Sequence, residues 1–106
     1  MGQHKIVVFV PVTHAQGVRE AIGQAGGGRL GHYSDCTFSV RGIGRFRPGQ
    51  GAHPAIGRVG QLEQVEEERI EFMCDSAQVS EIIAAIVRVH PYEEPAIDLW
   101  PLESWK

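Results

Sequence analysis

A short segment of the chain, residues 90–95, places an imidazole, a phenol and two carboxylates side by side as His90-Pro91-Tyr92-Glu93-Glu94-Pro95. Neutral imidazole and carboxylate groups suit divalent ions such as zinc, copper or manganese. His90, Glu93 and Glu94 are therefore candidate metal ligands, and a divalent metal is a candidate cofactor. The spacing alone does not compel a metal site. We favour a structural alternative, in which His90 ends a helix, Tyr92 packs and hydrogen-bonds, and the glutamates are solvated or pair with arginines.

A second segment, residues 42–47, reads Gly-Ile-Gly-Arg-Phe-Arg and has the composition of an anion site. Glycines let backbone N–H groups approach a ligand closely, and arginines supply positive charge. The candidate ligand-binding residues are Gly42, Gly44, Arg45, Phe46, Arg47 and Tyr92. The fingerprints of nucleotide-binding loops are absent. The alternative is a mobile loop whose arginines pair with Glu66, Glu67 or Glu68 of the same or a neighbouring subunit.

Nucleophilic catalysis has little support in the sequence. Cys36 and Cys74 fall in apolar stripes of predicted strands, whereas a reactive thiol needs partial exposure and a cationic neighbour. We therefore predict no catalytic residue and favour a non-enzymatic binding module. The alternative function is a metal-dependent hydrolase, in which the 90–95 turn holds an ion that activates water.

The first half of the chain predicts a strand, a helix and a second strand. Residues 4–12 form an apolar run typical of a central strand, and a helix is expected over residues 14–25 behind a capping box at Thr13. Three glycines, residues 26–28, should end that helix. Residues 35–41 alternate, which predicts a strand with Cys36, Phe38 and Val40 facing inward. Residues 42–60 are rich in glycine and predict a long loop or irregular hairpin.

The second half predicts a strand, a helix and a final strand. Residues 65–75 alternate, and their acidic start is expected to keep the strand end solvated or to discourage edge pairing. Asp75 or Ser76 can cap a helix that should end near His90, because Pro91 disfavours helical geometry there. A last strand is expected over residues 96–100, ending against Pro101.

This order of elements predicts an α+β fold of the ferredoxin-like βαββαβ type. It consists of one domain, residues 1–106, with a four-stranded antiparallel sheet and two helices on one face. The other face of such a sheet is open, and apolar residues on it need a cover. The two-sided apolar first strand, with Met73, Trp100 and Trp105, favours a homo-oligomer, a trimer or a dimer.

The charge and hydropathy of the chain exclude several classes of partner. The formal net charge is -3, which argues against nucleic acid as a main partner because phosphate-binding surfaces are basic. No run is apolar enough over the length needed to cross a bilayer, so no membrane partner is expected. The first residues lead directly into a strand without a secretory signal, which predicts a cytoplasmic protein.

Two stretches carry a resemblance to a known family. One runs from Gly31-His32-Tyr33-Ser34-Asp35-Cys36-Thr37-Phe38 to His53-Pro54-Ala55-Ile56-Gly57, and the other is His90-Pro91-Tyr92-Glu93-Glu94-Pro95-Ala96-Ile97-Asp98. Together they resemble the domain inserted into many bacterial members of the Nif-three-like family, and the likeness covers almost the whole chain. The His-Pro-Tyr-Glu motif is also similar to one in the CutA divalent-cation-tolerance proteins, which are ferredoxin-like and trimeric.

The resemblance implies a CutA-like or PII-like module that associates and binds a small ligand, a metal or a partner protein. Complete Nif-three-like proteins carry a two-metal site in halves that flank this domain. The sequence has neither half and looks like the insert standing alone. The two-metal chemistry of the larger family is therefore not carried over to it.

Overall fold

The computed structural model describes residues 2–106 and contains one four-stranded sheet and two α-helices. The elements are β1 (Gln3–Pro11), α1 (Ala15–Gln24), β2 (Phe38–Phe46), β3 (Glu63–Asp75), α2 (Val79–Val89) and β4 (Ile97–Leu102), with 3-10 turns at Val12–His14 and Ser76–Gln78. The strand order is β2-β3-β1-β4, and every neighbouring pair is antiparallel. This architecture confirms the predicted α+β, ferredoxin-like fold.

The core lies between the helices and one face of the sheet. Every second residue of the central strands β1 and β3 points to this face, and the apolar stripes of both helices pack against them. The buried side chains are Ile6, Val8, Val10, Ala15, Val18, Ile22, Ile70, Phe72, Cys74, Ile82 and Ile86. The helices therefore pack against this face, and within residues 2–106 no second layer of helix or strand covers the opposite face.

Strand β2 differs from its prediction in both length and facing. It continues to Phe46, so the irregular connection spans residues 47–62 rather than 42–60. Pairing places Ser39 opposite the buried Ile70 and Val40 opposite Arg69, so Phe38 and Val40 point away from the helices. They are 66% and 50% exposed, which corrects the inward orientation that alternation suggested. Hydrogen bonding to β3 sets the facing of this edge strand, and the local hydrophobic pattern does not.

The acidic start of β3 is another correction. Strand β3 lies inside the sheet, between β2 and β1, and the side chains of Glu67 and Glu68 are buried. Glu67 and Glu68 therefore neither keep the strand end solvated nor discourage pairing at a sheet edge. Strand β4 is an edge strand and runs through Pro101 to Leu102, beyond its predicted end. An edge strand tolerates proline because one side of its backbone needs no sheet hydrogen bonds.

The ends of the helices were predicted more accurately than their caps. Helix α2 ends at Val89, and His90 is extended with φ -75° and ψ 135°, as the following proline requires. The capping box at Thr13 does not form, because His14 precedes α1 and makes no side-chain capping bond. Of the two free cysteines, Cys74 is buried and Cys36 is half-buried just before β2. Within residues 2–106, neither helix has the length and apolar character that a membrane crossing requires.

Candidate functional site

The open face of the sheet, which is the face turned away from the helices, carries large apolar side chains on three strands. Antiparallel register places Val7 and Phe9 of β1, Phe38 and Val40 of β2, and Trp100 of β4 on this face. Phe38, Val40 and Trp100 are at least 42% exposed. Exposed apolar residues on a shared face are typical of a surface that another molecule covers.

A cavity of about 420 Å³ opens at one end of this face, where β1 and β2 finish. We call it the strand-end cavity. It is lined by Phe9, Gly44, Arg45, Phe46, Arg47, Pro48, Ala52, Pro54, Ala55, Ile56, Glu67, Tyr92, Glu93, Glu94 and Ala96. The size falls within the range of small-molecule sites. The wall is built by the end of β2, the 47–62 connection and the 90–95 turn, together with Phe9 of β1 and Glu67 of β3.

A buried carboxylate forms part of the cavity wall. Glu67 is 8% exposed, and its Oε2 accepts a hydrogen bond of 2.8 Å from the Tyr92 hydroxyl. A side chain at Gly44 would overlap Glu67 Oε1, so glycine is needed there for the carboxylate to keep its position. Among the residues that the structure describes, no lysine, arginine or histidine forms an ion pair with Glu67.

Tyr92 is held as a neutral hydrogen-bond donor. Its burial raises the pKa of the phenol well above the usual value, and the hydrogen bond to Glu67 and the negative charge of Glu67 raise it further. The ring meets Phe46 edge to face, with centroids 5.5 Å apart, and lies 5.2 Å from the His90 ring. The phenol therefore connects the turn, the end of β2 and the buried carboxylate.

His90 occupies a structural position at the end of α2, where it contacts backbone groups of the same chain. It is 7% exposed; Nε2 donates to the Phe9 carbonyl at 2.7 Å, and Nδ1 accepts from the Tyr92 backbone N–H at 3.1 Å. Both ring nitrogens are thus engaged, with the tautomer assigned from these partners. Glu93 accepts from the His53 backbone N–H at 3.0 Å, and Glu94 lines the cavity. In residues 2–106, no group of three or more His, Cys, Asp or Glu side chains is arranged to hold a metal ion.

These contacts predict that the protein loses stability in mild acid. Burial lowers the pKa of His90, although its bond to the Phe9 carbonyl and the charge of Glu67 oppose the shift and His14 adds to it. The folded state therefore disfavours the imidazolium, because a protonated Nδ1 could not accept the hydrogen bond from the Tyr92 backbone N–H. The stability from this group is complete above the unfolded pKa of about 6.5 and declines as pH falls below it.

Urea unfolding at a series of pH values between about 5 and 8 would measure this effect. His90→Gln is expected to flatten the decline of unfolding free energy on the acid side. His32→Gln is the matched control, because His32 is exposed and makes none of these contacts. Equal slopes for wild type and the His90 variant would contradict the assignment.

The predicted ligand-binding residues divide between two neighbouring spaces. Gly44, Arg45, Phe46, Arg47 and Tyr92 line the strand-end cavity, and Gly42 lines an adjacent pocket of about 290 Å³ that Gly44 also borders. Phe9 and Glu67 line both and were not identified from the sequence. No sequence signal marked Glu67 among three consecutive glutamates, because only strand pairing shows which one faces the cavity.

The arginines in and beside the predicted anion site make different contacts. Arg47 Nη1 donates to the Gly60 carbonyl at 2.9 Å, and Arg45 alternates with Gly44 and Phe46, so its side chain starts from the opposite face of β2. Arg41 lies 3.9 Å from Glu68, which also pairs with Arg19. Pairing with the acidic run therefore occurs within the chain, but through Arg41 and not through the arginines beside the cavity.

The sequence comparison finds relatives over nearly the whole chain. Two are named GTP cyclohydrolase 1 type 2 homolog. The one from Halalkalibacterium halodurans is 52% identical over 101 residues, covering 95% of this chain and 27% of the relative. The one from Bacillus subtilis is 46% identical over 100 residues, covering 94% of this chain and 27% of the relative. The chain thus spans about a quarter of the length of the curated relatives it matches. No protein-family model matches it.

The structural comparison finds the same relationship. The crystal structure of a Bacillus cereus protein related to NIF3 superimposes with a TM-score of 0.84 at 50% identity, covering 97% of this chain and 26% of that protein. A protein from Archaeoglobus fulgidus, described as the periplasmic divalent cation tolerance protein CutA, gives a TM-score of 0.68 at 16% identity. It covers 96% of this chain and 85% of that protein, and shows the fold alone. The predicted resemblance to the Nif-three-like insert and to the CutA fold is confirmed.

Proposed function

We propose that this chain, related along nearly its whole length to a segment of the GTP cyclohydrolase 1 type 2 homologs, is a non-enzymatic module of the cytoplasm. It associates with copies of itself through the open face and binds a small ligand in the strand-end cavity. The net charge of -3 argues against nucleic acid as its partner. We do not assign the reaction in the relatives' name to this chain, because the chain spans only about a quarter of their length.

The observation that carries the binding proposal is that the end of β2, the 47–62 connection and the 90–95 turn converge with Phe9 and Glu67 on one cavity. The end of β2 contributes Gly44 and Phe46, the 90–95 turn contributes Tyr92, and the 47–62 connection closes the remaining side. Glu93 fastens that connection by accepting the His53 N–H. A loop held against a stiff turn supports a preformed site, since little ordering is then needed when a ligand enters.

The self-association proposal rests on the apolar character of the open face. Phe38, Val40 and Trp100 are exposed there, and the described residues 2–106 form no second layer over them. Exposed apolar patches mark interaction surfaces, and most soluble oligomers are symmetric assemblies of identical chains. A trimer is preferred to a dimer because the resemblance to the CutA proteins implies one.

Size-exclusion chromatography with light scattering tests the proposal at micromolar protein. We expect a mass of three, or else two, chains. A well-folded monomer would contradict self-association. Metal analysis of the same sample addresses the hydrolase alternative, for which the engaged ring of His90 gives no support. A stoichiometric ion that disappears in Glu93→Ala and Glu94→Ala would favour the hydrolase.

A further inference from the structure

We propose that the strand-end cavity selects a ligand carrying a cationic nitrogen, such as an ammonium or quaternary ammonium group, which docks against the carboxylate of Glu67. This inference rests on the proposed binding function and reverses the charge that the arginine-rich segment suggested. It assigns the ligand class from the one charged side chain that is both buried and part of the cavity wall.

The first argument is the unbalanced charge of Glu67. The side chain is 8% exposed, and its hydrogen-bond donor is the neutral phenol of Tyr92. No cationic side chain forms an ion pair with it anywhere in residues 2–106. The neighbouring Glu68, by contrast, pairs with Arg19 and Arg41. A carboxylate that is largely shielded from bulk solvent and has no counter-charge favours the entry of a cation into the cavity.

The second argument is the aromatic lining. Phe46 and Tyr92 meet edge to face in the wall, and Phe9 lies in the same cavity. Aromatic faces attract cations, and clusters of aromatic rings recognise quaternary ammonium groups. The Phe9 ring already has the Arg69 guanidinium 5.8 Å from its centroid, so the open face accepts a cation in this structure. Arg69 itself pairs with Glu71 at 3.0 Å and does not line the strand-end cavity.

The third argument is the balance of charges around the cavity. Glu67, Glu93 and Glu94 line it together with Arg45 and Arg47, so carboxylates outnumber guanidinium groups. Both arginines are exposed, and Arg47 is committed to the Gly60 carbonyl. Exposed guanidinium groups are screened by water, whereas the buried carboxylate is not. The deep charge that a ligand meets is therefore negative.

The cationic nitrogen has two possible sources, which are a free amine and a lysine or arginine side chain from a second copy of the chain. Titration calorimetry with choline and spermidine as cationic probes, and with citrate and inorganic phosphate as anionic probes, examines the first source. Light scattering on the same variants examines the second source.

The decisive variant is Glu67→Gln, which removes the charge but keeps an oxygen that can accept from Tyr92. We expect it to weaken choline binding at least about tenfold, since a buried charge pair is lost. Glu66→Gln is the matched control, because Glu66 is exposed and lies on the other face of β3, and it should change binding less than about twofold. Phe46→Leu should weaken choline binding about threefold through loss of a cation–π contact, and this result does not depend on the folding of the Glu67 variant.

Each outcome decides the inference. Amine binding that falls in Glu67→Gln and survives in Glu66→Gln supports it, with a free ligand as the source. Absence of amine binding together with dissociation of Glu67→Gln assigns the cation to a second copy. Citrate or phosphate binding that is indifferent to Glu67→Gln overturns it, as does absence of amine binding with unchanged assembly. A wild-type monomer that binds amines would refute the proposed self-association and leave this inference intact.

Discussion

Replacing Gly28 with alanine is expected to lower the free energy of unfolding by about 3 to 5 kcal/mol, a loss typical of strain at a special backbone position. Gly28 has φ +76°, and an alanine Cβ would lie 2.7 Å from the carbonyl oxygen of Cys36. That oxygen cannot move freely, because the Cys36 N–H donates to the Gly28 carbonyl at 2.8 Å. The Gly28 N–H donates in turn to the Met73 carbonyl at 2.8 Å, which joins the segment between α1 and β2 to β3.

Gly31→Ala provides the control for this prediction. Gly31 also has a positive φ, of 58°, but an added Cβ would meet nothing within 4 Å. The free energy of unfolding of Gly31→Ala should therefore fall by only about 1 kcal/mol, which is the cost of a left-handed backbone conformation for alanine. Urea unfolding of the two variants separates the backbone penalty, which both share, from the overlap with Cys36, which only Gly28→Ala suffers. Equal losses of unfolding free energy in the two variants would show that the segment between α1 and β2 relaxes, and that its close packing at Gly28 contributes little.

Replacing Val40 with glutamate is expected to convert the assembled protein to monomers at micromolar concentration. Val40 is 50% exposed on the open face, so the isolated chain should tolerate the change. In an assembly through that face, the new carboxylate would be buried against apolar residues without a partner, at a cost of several kcal/mol. Light scattering after size-exclusion chromatography measures the mass, and circular dichroism verifies that the monomer is folded.

Ile43→Glu is a closely matched control. Ile43 is 49% exposed and lies on the same strand, but register places it on the face that carries the helices. The two variants therefore add the same charge at almost equal exposure and differ mainly in facing. Assembly that survives Ile43→Glu and fails in Val40→Glu identifies the open face as the interface. Dissociation of the Ile43 variant alone would place the interface on the other side of β2.

The elements of the fold could be read from the sequence wherever local patterns and packing agree. The stripe of Val79, Ile82, Ile83 and Ile86 in α2 predicted a helix that packs on the sheet, and its end followed from Pro91. Strand β2 was harder to predict. Its glycines and arginines resemble a loop, and it extends to Phe46 because residues 63–71 of β3 pair with it along its whole length.

The candidate site shows the same division. Proline and local residue types indicated a stiff turn at residues 90–95, and the structure places His90 at the end of α2 with both ring nitrogens hydrogen-bonded to backbone groups. Glu67 could not be found in this way, because its burial depends on the stacking of β1, β2 and β3 in register. Its apparent equivalence to Glu66 and Glu68 in the sequence disappears once the strands pair.

Sequence alone determined the order of helices and strands, the ferredoxin-like plan and the stiff turn after α2, because each depends on interactions within a few residues or on a regular apolar repeat. Tertiary structure alone decided which side of β2 faces the helices and which glutamate is buried in the cavity wall. It also decided that both ring nitrogens of His90 hydrogen-bond to backbone groups. The reason is physical. Facing and burial are properties of strand register, and register is set by hydrogen bonds between segments that lie far apart in the chain.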